Sequence, residues 1–242
     1  MVEELSKTSV LTISPGQSAV FVEKQLGEKT EIVVGAGAHI RHYRLHDGQD
    51  HMLSVRIEQG ASYEVITLHR GNGNLMLSFD LAQENAFCRS DIVYVLHGKQ
   101  ESLIRSNVRH NADNTVSRQM VKGAVGGQAF AAFEGGVFIP YERKKIDGAQ
   151  QHRALLLSPD AAVNAVPQLE IYADDVKCAH GSAIGSLNKD QLYYLRTRGI
   201  EEQEARHLLT QAFLDEVFDT IAEEDIREEF KQLAAEGLQN GV

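Results

Sequence analysis

Through most of its length this chain alternates apolar and polar positions with a period of two. Leu53, Val55 and Ile57 alternate with Ser54, Arg56 and Glu58, and Leu75, Leu77, Phe79 and Leu81 alternate with Met76, Ser78 and Asp80. Successive side chains of a strand point to opposite faces, so this period predicts half-buried strands. Further strands are expected at 18–23, 61–68, 92–96, 124–133, 153–157 and 168–172, separated by Gly60, Gly71, Gly73, Gly98, Gly135 and Gly136. No long helical pattern interrupts them. That excludes an alternating strand-helix architecture and leaves a sandwich, a barrel or a parallel β-helix, and no repeat of fixed period chooses among the three.

Near residue 188 the period changes to that of a helix. Asn188 followed by Gln191 makes a capping-box-like start, Leu192 and Leu195 share a face, and Gly199 supplies a stop. A second helix is expected over 201–221, with Ala205, Leu208, Leu209, Ala212, Phe213 and Val217 on one stripe and Glu201, Glu202 and Glu204 at its N-terminus. A third, over 225–235, puts Ile226, Phe230, Leu233 and Ala234 on one side. The pattern divides the chain into a β domain at 1–187 and a helical domain at 188–242.

With 242 residues, 43% of them hydrophobic, the chain can bury a core without disulfides. Its 24 basic and 34 acidic residues give a net charge of −10, and no segment is basic enough to neutralise a phosphate backbone, so nucleic acid is not expected as a partner. There is no run of about 18 apolar residues to span a membrane, and the opening residues lack a signal-peptide core, so a cytoplasmic protein is expected. Cys88 and Cys178 are too few for the four thiolates that usually hold an iron-sulfur cluster, so any such cluster would be shared with another chain.

Several motifs fail on spacing. In Lys122-Gly-Ala-Val-Gly-Gly the lysine precedes the glycines and Gln128 follows them, the reverse of a phosphate loop, so those glycines are expected to serve turns or close packing. Gly181-Ser182-Ala183-Ile184-Gly185 is not a nucleophile elbow, and Ser182 reads as a turn or cap residue. His110 and Ser117 read as base and nucleophile or equally as hydrogen-bonding partners. Among His39, His42, His46 and His51, strand parity lets only His42 and His46 converge. They support an alternative reading as a metal-dependent, cupin-like β-barrel enzyme, against a partly exposed strand and turn marked by Asp47-Gly48.

Cys178 and His180 stand two residues apart beside Gly181, so in extended backbone a soft thiolate and an imidazole would face one metal or partner surface. The surrounding run, Asp174-Asp-Val-Lys-Cys-Ala-His-Gly181, is followed by Leu192-Tyr-Tyr-Leu-Arg-Thr-Arg-Gly-Ile200. It is preceded by the block His110, Asn114, Thr115, Ser117 and Lys122, by Phe133-Glu-Gly-Gly-Val, by Asp147-Gly-Ala-Gln-Gln-His-Arg-Ala-Leu-Leu-Leu-Ser158 and by Pro167-Gln-Leu-Glu-Ile171. In order and spacing these segments resemble the SufB/SufD family of iron-sulfur cluster assembly scaffolds. The glycine after His180 resembles the SufD branch, since the SufB branch tends to carry glutamate there. Ser182-Ala183 departs from the family's usual Ala-Thr, and Ile146 stands where threonine is common.

The resemblance implies a right-handed parallel β-helix followed by a small C-terminal helical domain, and a scaffold without enzymatic activity. It implies pairing with a SufB-like paralogue, or with a second copy, and binding of a SufC-like ATPase by the helical region, through Leu192, Tyr194, Leu195, Arg198, Leu208, Leu209 and Phe213. It also implies that His180, with Cys178 as a further ligand, meets a transient iron-sulfur cluster shared with the partner, the chain alone holding no cofactor. Family members usually carry a helical domain before the β-helix. Here the strand pattern begins near Ser9, which reads either as a shortened member lacking that domain or as a chain whose start site has been lost. A structural homo-oligomer held edge to edge is the remaining reading.

Overall fold

The computed structural model describes residues 2–6, 10–25 and 27–239. Among the described residues, fifteen strands lie in two sheets whose neighbours are all parallel. One sheet takes every odd-numbered strand in chain order: β1 (Val2–Ser6), β3 (Ser18–Gln25), β5 (His39–Asp47), β7 (Ser62–Arg70), β9 (Phe87–Leu96), β11 (Val116–Val125), β13 (Lys144–Leu156) and β15 (Asp175–Gly185). The other takes the even-numbered strands: β2 (Val10–Ile13), β4 (Lys29–Val34), β6 (His51–Ile57), β8 (Leu75–Leu81), β10 (Glu101–His110), β12 (Phe130–Ile139) and β14 (Ala162–Ile171). A chain that alternates between two parallel sheets, each turn stacking on the last, is a parallel β-helix. That decides among the three β architectures and corrects the barrel reading. The strand pattern starts at Val2, ahead of the expected start, and Ser9 lies outside the described residues.

The two sheets differ in what covers them, and the sequence reflects it. The even-numbered sheet has a solvent face, so β6 and β8 alternate strictly between buried and accessible positions, with exposed charge pairs such as Arg56–Asp80 at 2.8 Å. The odd-numbered sheet is covered on its outer face by helices, so the second halves of β7, β9 and β11 are buried on both sides and lose the alternation. The segment 124–133, expected as one strand, is the end of β11, a turn and the start of β12. Gly127, at φ +66°, makes the turn, and a Cβ there would lie 2.7 Å from the Gly98 nitrogen on the coil below.

Helices α1 (Lys189–Thr197), α2 (Glu202–Phe218) and α3 (Glu224–Gln239) follow. Asn188 caps α1, its side-chain oxygen accepting from the nitrogens of Asp190 and Gln191. α2 lies on β9 and β11 and α3 on β7 and β9, burying Leu214, Val217, Phe218, Phe230, Ala234 and Leu238 against Ile66, Leu68, Val93 and Val95. Wedged between a sheet and α3, α2 buries Ala205 and Val217 of the expected stripe, but it is turned so that Thr210, Leu214 and Phe218 complete the buried face. Leu214 and Phe218 are inside, while Leu208 and Ala212 are exposed. Lys122, on the outer face of β11, is fully buried beneath α2. Its Nζ donates to the Phe213 carbonyl at 2.7 Å and pairs with Glu216. Tyr43 donates to Glu223 at 2.6 Å and Lys24 pairs with Glu229, so both long helices are pinned to the coil.

Candidate functional site

The coil is a stack of inward-facing rows, one side chain from each strand. In the odd-numbered sheet, register aligns Cys88, Ser117, Gly148 and Cys178 in one row. A second row holds Ser90, Gln119, Gln150 and His180, and a third holds Ile92, Val121, His152 and Ser182. Cys178, His180 and Ser182 therefore stand side by side on the interior face of β15, the last strand of the sheet, as period two requires. β14 and β15 are the outermost strands of their sheets, and no described strand pairs with the free edge of either. The three side chains sit at the open C-terminal mouth of the coil.

Each is held differently. Cys178 is half-buried against Val137, Ile139, Ile146, Leu169 and Val176, and burial raises its thiol pKa. It is a protonated thiol on the mouth's apolar rim. His180 is exposed, above the buried Gln150. Ser182 Oγ lies 3.2 Å from Nδ1 of His152, so it is a strand residue facing inward, which corrects the turn or cap assignment. His152 also meets the Tyr94 hydroxyl through Nε2 at 2.9 Å and stacks on Phe133, and burial lowers its pKa to about 4.

The other singled-out histidines lie deep in the coil. His110 bonds Thr115 Oγ1 at 2.8 Å and Ser117 Oγ at 2.9 Å, with all three side chains fully buried, so the pair braces consecutive strands and no substrate reaches it. His42 and His46 face inward and are fully buried, which corrects the partly exposed strand reading. They do not converge on a common point. His42 meets Tyr63 at 2.7 Å and lies 3.3 Å from Glu23, whereas His46 Nδ1 faces His69 Nδ1 at 2.5 Å. Between them Arg44 reaches Glu23 at 2.8 Å and His51 at 2.5 Å, and this cation opposes a metal ion in the same space. Burial opposes the charge of Glu23, but the His42 contact and Arg44 hold its pKa down to about 2. Among the described residues no group of three or more His, Cys, Asp or Glu side chains could hold a metal.

At the helical end, α1 buries none of its residues. Tyr193 and Tyr194 are 71% and 57% exposed, Leu192 and Leu195 are half-buried, and Arg198 stands over the Tyr194 ring. On α2 Leu208 is exposed, Leu209 is half-buried, and Phe213 is half-buried over Lys122. The glycines near Lys122 make close approaches, since a Cβ on Gly123 would occupy the Tyr94 ring.

Residues 2–213 match the family model described as the SUF system FeS cluster assembly, SufBD core domain. The chain belongs to the SufB/SufD family, and it is SufD-like. It is 29% identical over 228 residues to the iron-sulfur cluster assembly protein SufD of Escherichia coli, covering 89% of this chain and 53% of that one. An iron-sulfur cluster assembly SufBD family protein of Synechocystis is 32% identical over 206 residues, covering 84% of this chain and 44% of that one. The chloroplastic protein ABCI7 of Arabidopsis thaliana is 31% identical, covering 82% and 44%. The chain spans about half the length of the curated relatives it matches. Gln150 and Gln119, inside the mouth, had no signal in the sequence, because an amide carries no charge or metal-ligand pattern.

Proposed function

We propose that this chain is a non-enzymatic, SufD-like scaffold subunit of a cytoplasmic SUF assembly complex, pairing with a SufB-like paralogue and a SufC-like ATPase. The nascent cluster is its cargo. His180 supplies an imidazole nitrogen to iron or stands against the cluster, Cys178 is a second donor once iron displaces its proton, and the partner completes the ligand set.

The observation that carries this reading is the position of Cys178 and His180 on one inward face of β15, at the free edge of a parallel sheet. The unpaired main-chain groups of such an edge are the natural template for a strand of another chain. A partner strand added there would set its own side chains beside His180, which accounts for a site that offers only two donors. The unburied tyrosines of α1 and the exposed Leu208 of α2 support a second contact on the helical region, assigned to the ATPase.

The test is anaerobic reconstitution of the complex with iron and sulfide, comparing the native chain with His180→Ala. The variant is expected to form the complex and retain little iron. Unchanged iron and sulfide content in the variant would remove His180 from the site.

A further inference from the structure

Gln150 occupies the position one strand inward of His180, and the coil makes room for it at a cost. Its side chain crosses the interior to the backbone of β12, where a Cβ on Gly135 would lie 2.5 Å from both carboxamide heteroatoms. The residue is 2% exposed, yet neither its Nε2 nor its Oε1 has a hydrogen-bond partner among the described residues. The next two members of the same row repeat the pattern. Gln119 Nε2 and Ser90 Oγ are buried and unpartnered, while Gln119 Oε1 accepts from Ser106 Oγ at 2.7 Å. That bond leaves the amide N–H groups of Gln119 free. Three consecutive strands thus present unpaired polar groups in one file that ends at His180, and the surplus is of donors.

A buried, unsatisfied amide weakens a fold, and a leucine of similar size would fill the same space without that penalty. Packing does not account for the file. The geometry points to Gln150 as a positioning residue of the mouth, donating Nε2–H to an electron-rich acceptor held at His180, of which an iron-bound sulfide is the class that fits. Hydrogen bonds from outside the ligand set to sulfur and to ligands orient a metal site and set its affinity. This inference rests on the reading of His180 given above.

The experiment uses the complex reconstituted anaerobically with ferrous iron and sulfide, carrying the native chain, Gln150→Leu, Gln150→Met or His180→Ala. Three quantities are read: complex composition, the melting temperature of the metal-free complex, and the rate of iron loss to a chelator. Gln150→Leu and Gln150→Met are expected to keep the composition and a melting temperature equal to or above that of the native chain, and to lose iron roughly 10-fold faster. Native rates of loss in both, with His180→Ala empty, would overturn the role of Gln150 and leave that of His180 standing. Native retention in His180→Ala would overturn both. Faster loss together with a lowered melting temperature in both glutamine variants would assign Gln150 to the fold alone and also overturn the inference.

Discussion

The ammonium group of Lys122, which projects from the outer face of β11, donates a 2.7 Å hydrogen bond to the main-chain carbonyl of Phe213 in α2. The lysine is fully buried while the side chain of its second partner, Glu216, is 59% exposed, so the two ends of this contact differ in weight. Lys122→Ala leaves a cavity under α2 and is expected to destabilise the chain by about 2–3 kcal/mol. Glu216→Ala, losing a mostly solvated charge, is expected to cost under about 1 kcal/mol. Urea unfolding of both variants checks this, and equal losses would contradict it.

The buried histidines make stability depend on pH. Burial holds His46, His51, His110 and His152 down to about 4 and His69 to about 3, with Arg44 also opposing charge on His46 and His51. The unfolded chain, with ordinary histidines near 6.5, takes up protons that the fold excludes, so stability falls as pH drops from about 6.5 toward 4. Each histidine contributes on the order of 1–2 kcal/mol of that loss at pH 5. Below about 4.5 the depressed pKa of Glu23 adds a further loss toward 2. Asp91 acts in the opposite sense, since burial raises its pKa to about 6 and protonation relieves it as pH falls. The urea midpoint is expected to drop steeply between pH 7 and pH 5. A flat profile would contradict the assignment of neutral interior histidines.

Gly123 faces the Tyr94 ring, which is itself fixed by His152. Gly123→Ala is expected to destabilise by about 1–3 kcal/mol through overpacking. Adding Tyr94→Leu should recover part of that loss, so the double variant is more stable than the sum of the single effects predicts. Additive losses would show that the glycine serves the backbone instead.

Legibility followed solvent exposure. The even-numbered sheet has a wet face, so β6 and β8 announced themselves by alternation. The second halves of β9 and β11, covered on both faces, lose the alternation, and the turn at Gly126-Gly127 was hidden where β11 runs on into β12. The coil repeat was invisible because it lengthens along the chain. Val10 pairs with Glu31, 21 residues on, while Phe130 pairs with Ala162, 32 residues on. The change to a helical period near residue 188 was plain, although of the expected stripe α2 fully buries only Ala205 and Val217, since α3 and the sheet grip it from two sides. At the mouth, parity alone put Cys178 and His180 on one face. The file behind His180 depends on the register of three strands distant in sequence, and no local pattern encodes register across a variable coil.

Tyr194 on α1 tests the helical contact separately from the fold. Tyr194→Ala removes an exposed ring and is expected to shift stability by less than about 0.5 kcal/mol, while abolishing capture of the ATPase. The checks are thermal melting and co-purification. Capture at the native level would move the ATPase contact off this helix.

The most direct test of the central claim is an anaerobic affinity purification of the chain from its native host, with partners identified by mass spectrometry and metal measured in the same sample. The scaffold account predicts recovery of a SufC-like ATPase and a SufB-like paralogue, with little iron on the chain when it is purified alone. Recovery of the chain without either protein, carrying one equivalent of tightly bound metal, would contradict it.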